Sequence, residues 1–457
     1  MRKIEKRGVF CLILAALLGL GLAVFCFRFV VDGGDWASYP YNRHLYSNSG
    51  ALKGGTILDR DGDVLSSLDE NGNRTYYPDG DIRRATLHAV GDPAGNIGAG
   101  ALTAFADKLA GYNLLTGVYS PLGTGNQLYL TIDAYLNNVA YQALGGMRGT
   151  VGVYNYKTGE VLCMVSTPTF DPADPPSIDP DDPSWEGVYV NRLLSANSIP
   201  GSIFKVVTLN AAIENIPDLF SRTWSCTGST EIGGDVVTCP YAHGELDIED
   251  ALAVSCNGVF GRLAVELGGD TMQKYTDAAG LTESIKVDGI NTSQGRFDFT
   301  GNDNQLAWSG VGQGQDTMCP INMMLYMGAI ANGGKAAMPR LIEKSTTAYG
   351  LPTGIYAPRK SGELIDGTTA RTIADMMHNN VIETYGQDRF PGMDICAKSG
   401  TAEVGPDKTP NAWFTGFLRD SATPYAFIVL VENGGGGSSV AGSVASRVLT
   451  AAVEKAY

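Results

Sequence analysis

The longest unbroken apolar stretch stands at the start of the chain. Residues 9–31, VFCLILAALLGLGLAVFCFRFVV, hold a single charge, Arg28, near the far end. As a helix rising about 1.5 Å per residue this stretch covers about 35 Å, enough to cross a bilayer with some tilt, and Arg28 can snorkel to the interface. A cleaved signal peptide would have an apolar region of about 7–15 residues ending in a small-x-small site, which this segment does not match. Arg2, Lys3, Lys6 and Arg7 precede the span against one acid, Glu5, while Asp32 and Asp35 follow it. The positive-inside rule then predicts residues 1–8 as a cytoplasmic tail, 9–31 as an uncleaved anchor and the rest of the chain outside the membrane.

Residues 32–147 have mixed patterning. GGTILDRDGDVLSSLD reads as strand, Asp61-Gly62 turn and strand, and AGALTAFADKLAGY has helical spacing. From Thr150 the pattern sharpens into two apolar strands, TVGVYNYKTGEVLCMVST, joined at Lys157-Thr158-Gly159. The following DPADPPSIDPDDP has too much proline for a helix or a central strand and reads as an exposed acidic loop. Helical periodicity then dominates, with helices expected over 202–215, 247–267, 272–279, 320–332 and 368–383. The chain ends in strands again: DICAKSGTAE, NAWFTGFLR and PYAFIVLVENG. Strands, then helices, then strands predict an α+β fold, an antiparallel sheet flanked by helices in which the first and last strand groups pair.

Composition narrows the function. With 44% apolar residues the chain can bury a core, and 48 acids against 33 bases give a net charge of −15. An acidic balance argues against nucleic acid as a partner, because neutralising phosphates needs a basic face. Four histidines and the lack of any CxxC pair argue against a metal site, zinc included. Cys11 and Cys26 fall in the span, leaving Cys163, Cys226, Cys239, Cys256, Cys319 and Cys396 outside it, where disulfides are permitted. Cys226 and Cys239 bracket CTGSTEIGGDVVTC, which reads as a hairpin, and are the candidate bridge; the others read as buried apolar filler.

Three short motifs carry the chemistry. The first is Ser202-Ile203-Phe204-Lys205, after Pro200-Gly201. The preceding breakers place Ser202 at a helix N-terminus, whose free N–H groups stabilise negative charge. Residues three apart share a helix face, so the lysine amine can reach the serine hydroxyl. A serine becomes nucleophilic when a neighbouring base takes its proton, and a neutral lysine can be that base. Alone the pattern is weak, since S-x-x-K arises by chance about once or twice in a chain this long; an N-cap serine with a surface lysine is the ordinary reading. The second is Ser255-Cys256-Asn257, between two apolar helical runs. Such a corner is usually a cap or turn, but its hydroxyl could relay a proton and its amide could hold a substrate carbonyl. The third is Lys398-Ser399-Gly400-Thr401 on a late strand. Lys398 would supply fixed positive charge, and Gly400 would clear space for a substrate backbone lying along the strand. Its ordinary reading is an edge-strand lysine.

Order, separation and context together make a strong combination. This motif set is that of penicillin-binding proteins and β-lactamases, and the sequence resembles a class B penicillin-binding protein, a monofunctional peptidoglycan D,D-transpeptidase of the short penicillin-binding protein A-like type. GTVGVYNYKTGEVLCMVSTPTFDP is similar to the opening sheet of that domain, and IPGSIFKVVTLNAAIE to its nucleophile helix. VGQGQDTMCPINMMLYMGAIANGG is similar to its Gly-Gln-Gly loop and following helix, and KSGTAE with NAWFTGF to its closing strands. YNRHLY and GGTILDRDGDVL resemble the start of the membrane-proximal region. The chain departs from the family pattern at Gly54, where an arginine is usual, and at Asn411, where histidine or aspartate often precedes Ala-Trp-Phe.

The resemblance implies a membrane-proximal pedestal over 32–147 and a transpeptidase domain over 148–457. It implies that Ser202 attacks the carbonyl between the terminal D-alanines of a peptidoglycan stem peptide, with Lys205 as base and the oxyanion held by the N–H groups of Ser202 and Thr401. Ser255 would pass a proton to the departing amine, Asn257 would orient the substrate amide, and Lys398, Ser399 and Thr401 would bind the terminal carboxylate. Burial and the like charge of Lys398 would both lower the proton affinity of Lys205. An amine of a second stem then resolves the ester, β-lactams acylate the same serine, no cofactor is needed, and residues 32–147 would meet a membrane glycosyltransferase partner. Rival readings are a D,D-carboxypeptidase, a class D-like β-lactamase, a β-lactam receptor and an idle cell-wall scaffold. The intact motifs argue against the scaffold, the anchor and long pre-domain against the lactamase, and a cytoplasmic part of about eight residues against the receptor.

Overall fold

A computed structural model describes residues 2–39, 41, 42, 44–47, 52–118 and 125–456. The side chains of Arg2 and Lys3 and residue Arg43 of the YNRHLY segment lie outside the described residues. The N-terminal apolar run forms one helix, Arg2–Ala37, and its span from Ile4 is long and apolar enough to cross a membrane. Its side chains are exposed from Ile4 to Val31, as a helix solvated by lipid requires.

The central sheet has five antiparallel strands in the order Ile395–Ala402, Asn411–Leu418, Tyr425–Val431, Gly149–Asn155, Val161–Thr167. The first and last strand groups therefore meet as expected, with Tyr425 opposite Asn155 and Val431 opposite Gly149. Four of these strands are buried at every position, which explains why they read as continuous apolar runs rather than alternating ones. One face packs against Ala134–Leu144 and the C-terminal helix Gly442–Lys455 through Leu136, Val151, Val429, Val448 and Leu449. The opposite face meets the helix Pro320–Ala331 through Tyr154, Ile428, Met323 and Met327. Gly152 is glycine for this packing, because a Cβ there would lie 2.8 Å from Leu193 Cδ1.

A second sheet runs Ile342–Thr347, Asn126–Leu130, Thr56–Leu58, Val64–Leu68, Arg74–Tyr76, with Thr56–Leu58 parallel to Asn126–Leu130. The strand–turn–strand at Asp61-Gly62 forms as expected. AGALTAFADKLAGY is not one helix but two single turns, Ala101–Ala104 and Ala106–Leu109, divided at Phe105. The two regions interleave along the chain: Ile342–Thr347 completes the membrane-proximal sheet, while Ala134–Leu144 lies in the core of the central one. The acidic loop is largely exposed but anchored at its start, where Arg83 makes a two-point ion pair with Asp171 at 2.7 and 2.6 Å.

Candidate active site

Local sequence sets the Ser202 turn. Gly201 adopts φ +57°, a left-handed value, and a single 3-10 turn, Gly201–Phe204, leads into the helix Lys205–Asn215. Backbone crowding also demands glycine here, since a Cβ on Gly201 would lie 2.8 Å from the Thr401 carbonyl. Its N–H donates to Gly312 O at 2.8 Å, so the Gly-Gln-Gly loop clamps the turn. Ser202 ends half-buried at the mouth of a cleft of about 490 Å³, which Ser255, Asn257, Ser399 and Thr401 also line.

The corner between the helices Ile248–Ala253 and Asn257–Leu267 divides the helix expected over 247–267. Ser255 sits at φ +58°, which costs a non-glycine residue energy and tends to persist where surrounding contacts enforce it. Those contacts are the lysines. Lys205 Nζ donates to Ser255 O at 2.6 Å and Asn257 Oδ1 at 2.7 Å, and lies 3.0 Å from Ser202 Oγ and 3.1 Å from Ser255 Oγ. Lys398 Nζ is 2.9 Å from Ser255 Oγ and 2.9 Å from Ser399 O. Ser202, Lys205, Ser255, Asn257 and Lys398, drawn from three distant stretches of chain, thus form one hydrogen-bonded group.

Both amines are fully buried, and every hydrogen-bond partner of either is a hydroxyl or a carbonyl oxygen. Burial penalises the charged form. It lowers the Lys205 pKa to about 7, and pushes Lys398 well below the ordinary lysine range, with the charge of Lys205 adding to the effect. One expectation changes: like-charge repulsion acts on Lys398, while Lys205 is shifted by desolvation. A neutral Lys205 satisfies the geometry well, because its two N–H groups can serve the two carbonyl oxygens while its lone pair faces the hydroxyls.

The strand Ile395–Ala402 is the edge of the central sheet and forms the opposite wall. Gln313 Nε2 donates to Thr401 O at 3.1 Å, so the Thr401 carbonyl points away from the sheet. In an antiparallel strand the N–H of the same residue points the same way, which directs the Thr401 N–H into the cleft. Ser399 likewise faces outward, its N–H donating to Tyr385 Oη at 2.9 Å and its hydroxyl lying 3.1 Å from the same atom. Gly400 does not clear a path for substrate. It faces inward, where a Cβ would lie 3.0 Å from Ile203 Cγ2 and 3.2 Å from Ile203 N, so its small size lets the strand approach the Ser202 turn. Gln313 is the middle residue of the Gly-Gln-Gly loop, though the sequence assigns it no role, and no local pattern marks Tyr385; the roles of both arise from packing against residues 399–401.

Cys226 and Cys239, expected as a bridge, are both free. The hairpin between them does form, as Ser229–Ile232 paired with Asp235–Thr238, but the two sulfurs take other neighbours. Cys226 Sγ lies 3.3 Å from His243 Nδ1, and Cys239 Sγ lies 3.8 Å from Cys256 Sγ.

The profile of the family described as "Penicillin binding protein transpeptidase domain" matches residues 149–450, and the chain belongs to that family. Among curated relatives it is similar to the peptidoglycan D,D-transpeptidase PbpA of Mycolicibacterium smegmatis, 27% identical over 343 residues that cover 70% of each chain. PbpA of Mycobacterium tuberculosis is 26% identical over 359 residues, 73% of this chain and 72% of the relative. Among solved structures, the D,D-transpeptidase domain of a peptidoglycan glycosyltransferase from Eggerthella lenta superposes with a TM-score of 0.77 at 28% identity, covering 88% of this chain and 99% of its own. The ceftriaxone acyl-enzyme of M. tuberculosis penicillin-binding protein A shares the fold, with a TM-score of 0.75 at 21% identity over 90% of this chain and 99% of that one.

Proposed function

We propose that this chain is a membrane-anchored serine D,D-transpeptidase that crosslinks peptidoglycan stem peptides and is acylated by β-lactams. The observation that carries the reading is a fully buried lysine amine 3.0 Å from the Ser202 hydroxyl. In this reading Lys205, neutral near pH 7, takes the Ser202 proton as Oγ attacks the carbonyl between the terminal D-alanines. The developing oxyanion lies between the N–H groups of Ser202 and Thr401, where each preorganised donor contributes about 10²–10³ in rate. Ser255, within hydrogen-bond distance of both lysines, carries the proton to the departing D-alanine amine. Asn257 keeps one amide N–H for substrate, its other going to Thr238 O at 2.7 Å. Lys398, Ser399 and Thr401 receive the terminal carboxylate, whose negative charge favours the protonated form of Lys398. An amine of a neighbouring stem then attacks the ester and releases the serine.

The basic residues before the apolar helix and Asp32 and Asp35 at its far end support a cytoplasmic N-terminus and an external catalytic domain. Residues 32–147 are the expected meeting surface for a membrane glycosyltransferase, a reading supported by the family resemblance. The deciding experiment is fluorescent penicillin labelling of the full-length chain in detergent. Wild type should take up about one label per chain and hold it through a chase, while Ser202→Ala takes up none. Equal labelling of the variant would remove Ser202 as nucleophile, and rapid release of the label would make the chain a lactamase.

A further inference from the structure

Beside the Ser255–Asn257 corner, and lining the same cleft through Cys239 and His243, lies a second cluster, unused by the reaction. Cys226 ends the strand Trp224–Cys226, Cys239 follows the strand Asp235–Thr238, His243 precedes the strand Gly244–Leu246, and Cys256 is the middle residue of the corner itself. One ligand atom from each, three sulfurs and a ring nitrogen, lies within 4.8 Å of all the others.

The distances separate two kinds of cysteine chemistry. A disulfide holds its sulfurs about 2.0 Å apart. Two thiolates on one tetrahedral zinc, each about 2.3 Å from the metal, lie about 3.8 Å apart, and a thiolate and an imidazole nitrogen about 3.6 Å apart. Cys239 and Cys256 are separated by 3.8 Å, and Cys226 and His243 Nδ1 by 3.3 Å. We propose that Cys226, Cys239, His243 and Cys256 form a structural Cys₃His zinc site that fixes the Ser255–Cys256–Asn257 corner. On binding, the three thiols release their protons and the neutral imidazole coordinates through Nδ1, leaving a centre of net charge −1. Three soft sulfurs and one imidazole in a closed tetrahedron select zinc over the oxygen-seeking cations.

Two further observations support the site. The Asn257 N–H donates to Cys239 Sγ at 3.2 Å, the type of bond that holds a coordinating thiolate and here ties the corner backbone to the cluster. The hairpin between Cys226 and Cys239 also buries little: Ile232 and Val237 join a small core shared with Ala307, while Cys226 and Leu246 of the flanking strands reach the main core. A lobe with so thin a core needs a staple, and a metal supplies one. The ligand spacing, twelve residues, then three, then twelve, lacks the CxxC pair used to dismiss zinc from sequence.

The metal site stands on the thiol geometry alone; its effect on acylation rests on the transpeptidase reading. The test begins with elemental analysis of the full-length chain purified in detergent without chelator. About one zinc per chain is expected, lost at least several-fold in Cys226→Ser and His243→Ala. Cobalt exchanged into wild type should show thiolate-to-metal charge-transfer and tetrahedral visible bands, a readout that does not depend on any variant folding. Metal removal should slow penicillin labelling at Ser202, with zinc restoring it. A metal-free wild type after zinc supplementation, a Cys239–Cys256 disulfide by mass spectrometry, or zinc retained equally by both variants would overturn the site. Zinc bound as proposed in a chain that penicillin never labels would instead sink the enzymatic reading and leave the metal site standing.

Discussion

Two contrasting groups meet at the Ser255–Asn257 corner: two buried lysines, each bonded to hydroxyls and carbonyls, and three cysteines with a histidine whose ligand atoms lie within 4.8 Å of one another. Burial disfavours charge on the lysines and brings Lys205 to a pKa of about 7 against the opposing pull of Cys256 and Cys239, so a large fraction of this amine is neutral near pH 7. The thiol side gathers would-be anions, whose natural relief is a shared cation. Reactivity and rigidity are thus placed side by side, with Asn257 touching both: its Oδ1 meets Lys205 and its N–H meets Cys239. The largest expected break comes from Lys205→Arg, which keeps a cation but cannot give up its proton. Penicillin acylation should fall by about 10²–10⁴, the usual worth of a general base, with zinc content and thermal midpoint kept near wild type. Near-normal acylation would remove Lys205 as the base.

Asn257→Asp sharpens the same comparison. A carboxylate in place of the Oδ1 that lies 2.7 Å from Lys205 Nζ stabilises the ammonium form and should raise its pKa by about one to three units. Acylation at neutral pH then drops by about 10–10³ and recovers at alkaline pH, a profile that simple loss of structure would not produce. Unaltered chain should show the milder form of the same dependence. Lys205 works when neutral and its pKa is about 7, so the second-order acylation rate should fall about tenfold for each unit below that value and level off above it. A rate flat between pH 5 and 8 would mean that another group accepts the proton.

The two sides also differ in how far sequence reveals them. Ser202 and Lys205 are legible because three residues of helix fix their separation. Lys398 and Ser255 become legible only through the motif set, since nothing local says that residues 143 positions apart share a hydrogen bond. The order of the central sheet follows from the grouping of apolar strands, yet the pairing of Ile342–Thr347 with the membrane-proximal sheet is a non-local choice that six residues do not announce. The thiol cluster is hidden for the same reason. Its ligands are brought together by the turn of a small hairpin lobe, and the linear spacing of Cys226 and Cys239 suggests a bridge to each other rather than to separate neighbours. Gly400 misleads in a subtler way: its smallness is real, but it serves Ile203 and not a ligand.

Tyr385 gives the smallest and most discriminating perturbation. It is buried, its ring meets Phe414 edge-on at 5.3 Å, and its hydroxyl bonds the N–H and Oγ of Ser399. Tyr385→Phe keeps the ring contact and removes only those bonds, so a stability loss of about 0.5–1.5 kcal/mol is expected from chemical denaturation, more if the Ser399 N–H is left dry. Ser399 O also accepts from Lys398, so loosening Ser399 should slow acylation by a few-fold through the lysine network. Zinc content should not move, because no atom of Tyr385 bonds to the thiol side. If this small change on the strand wall released the metal, the corner would transmit strain between its two sides, and the division between a reactive face and a rigid one would fail at the residue that joins them, Asn257.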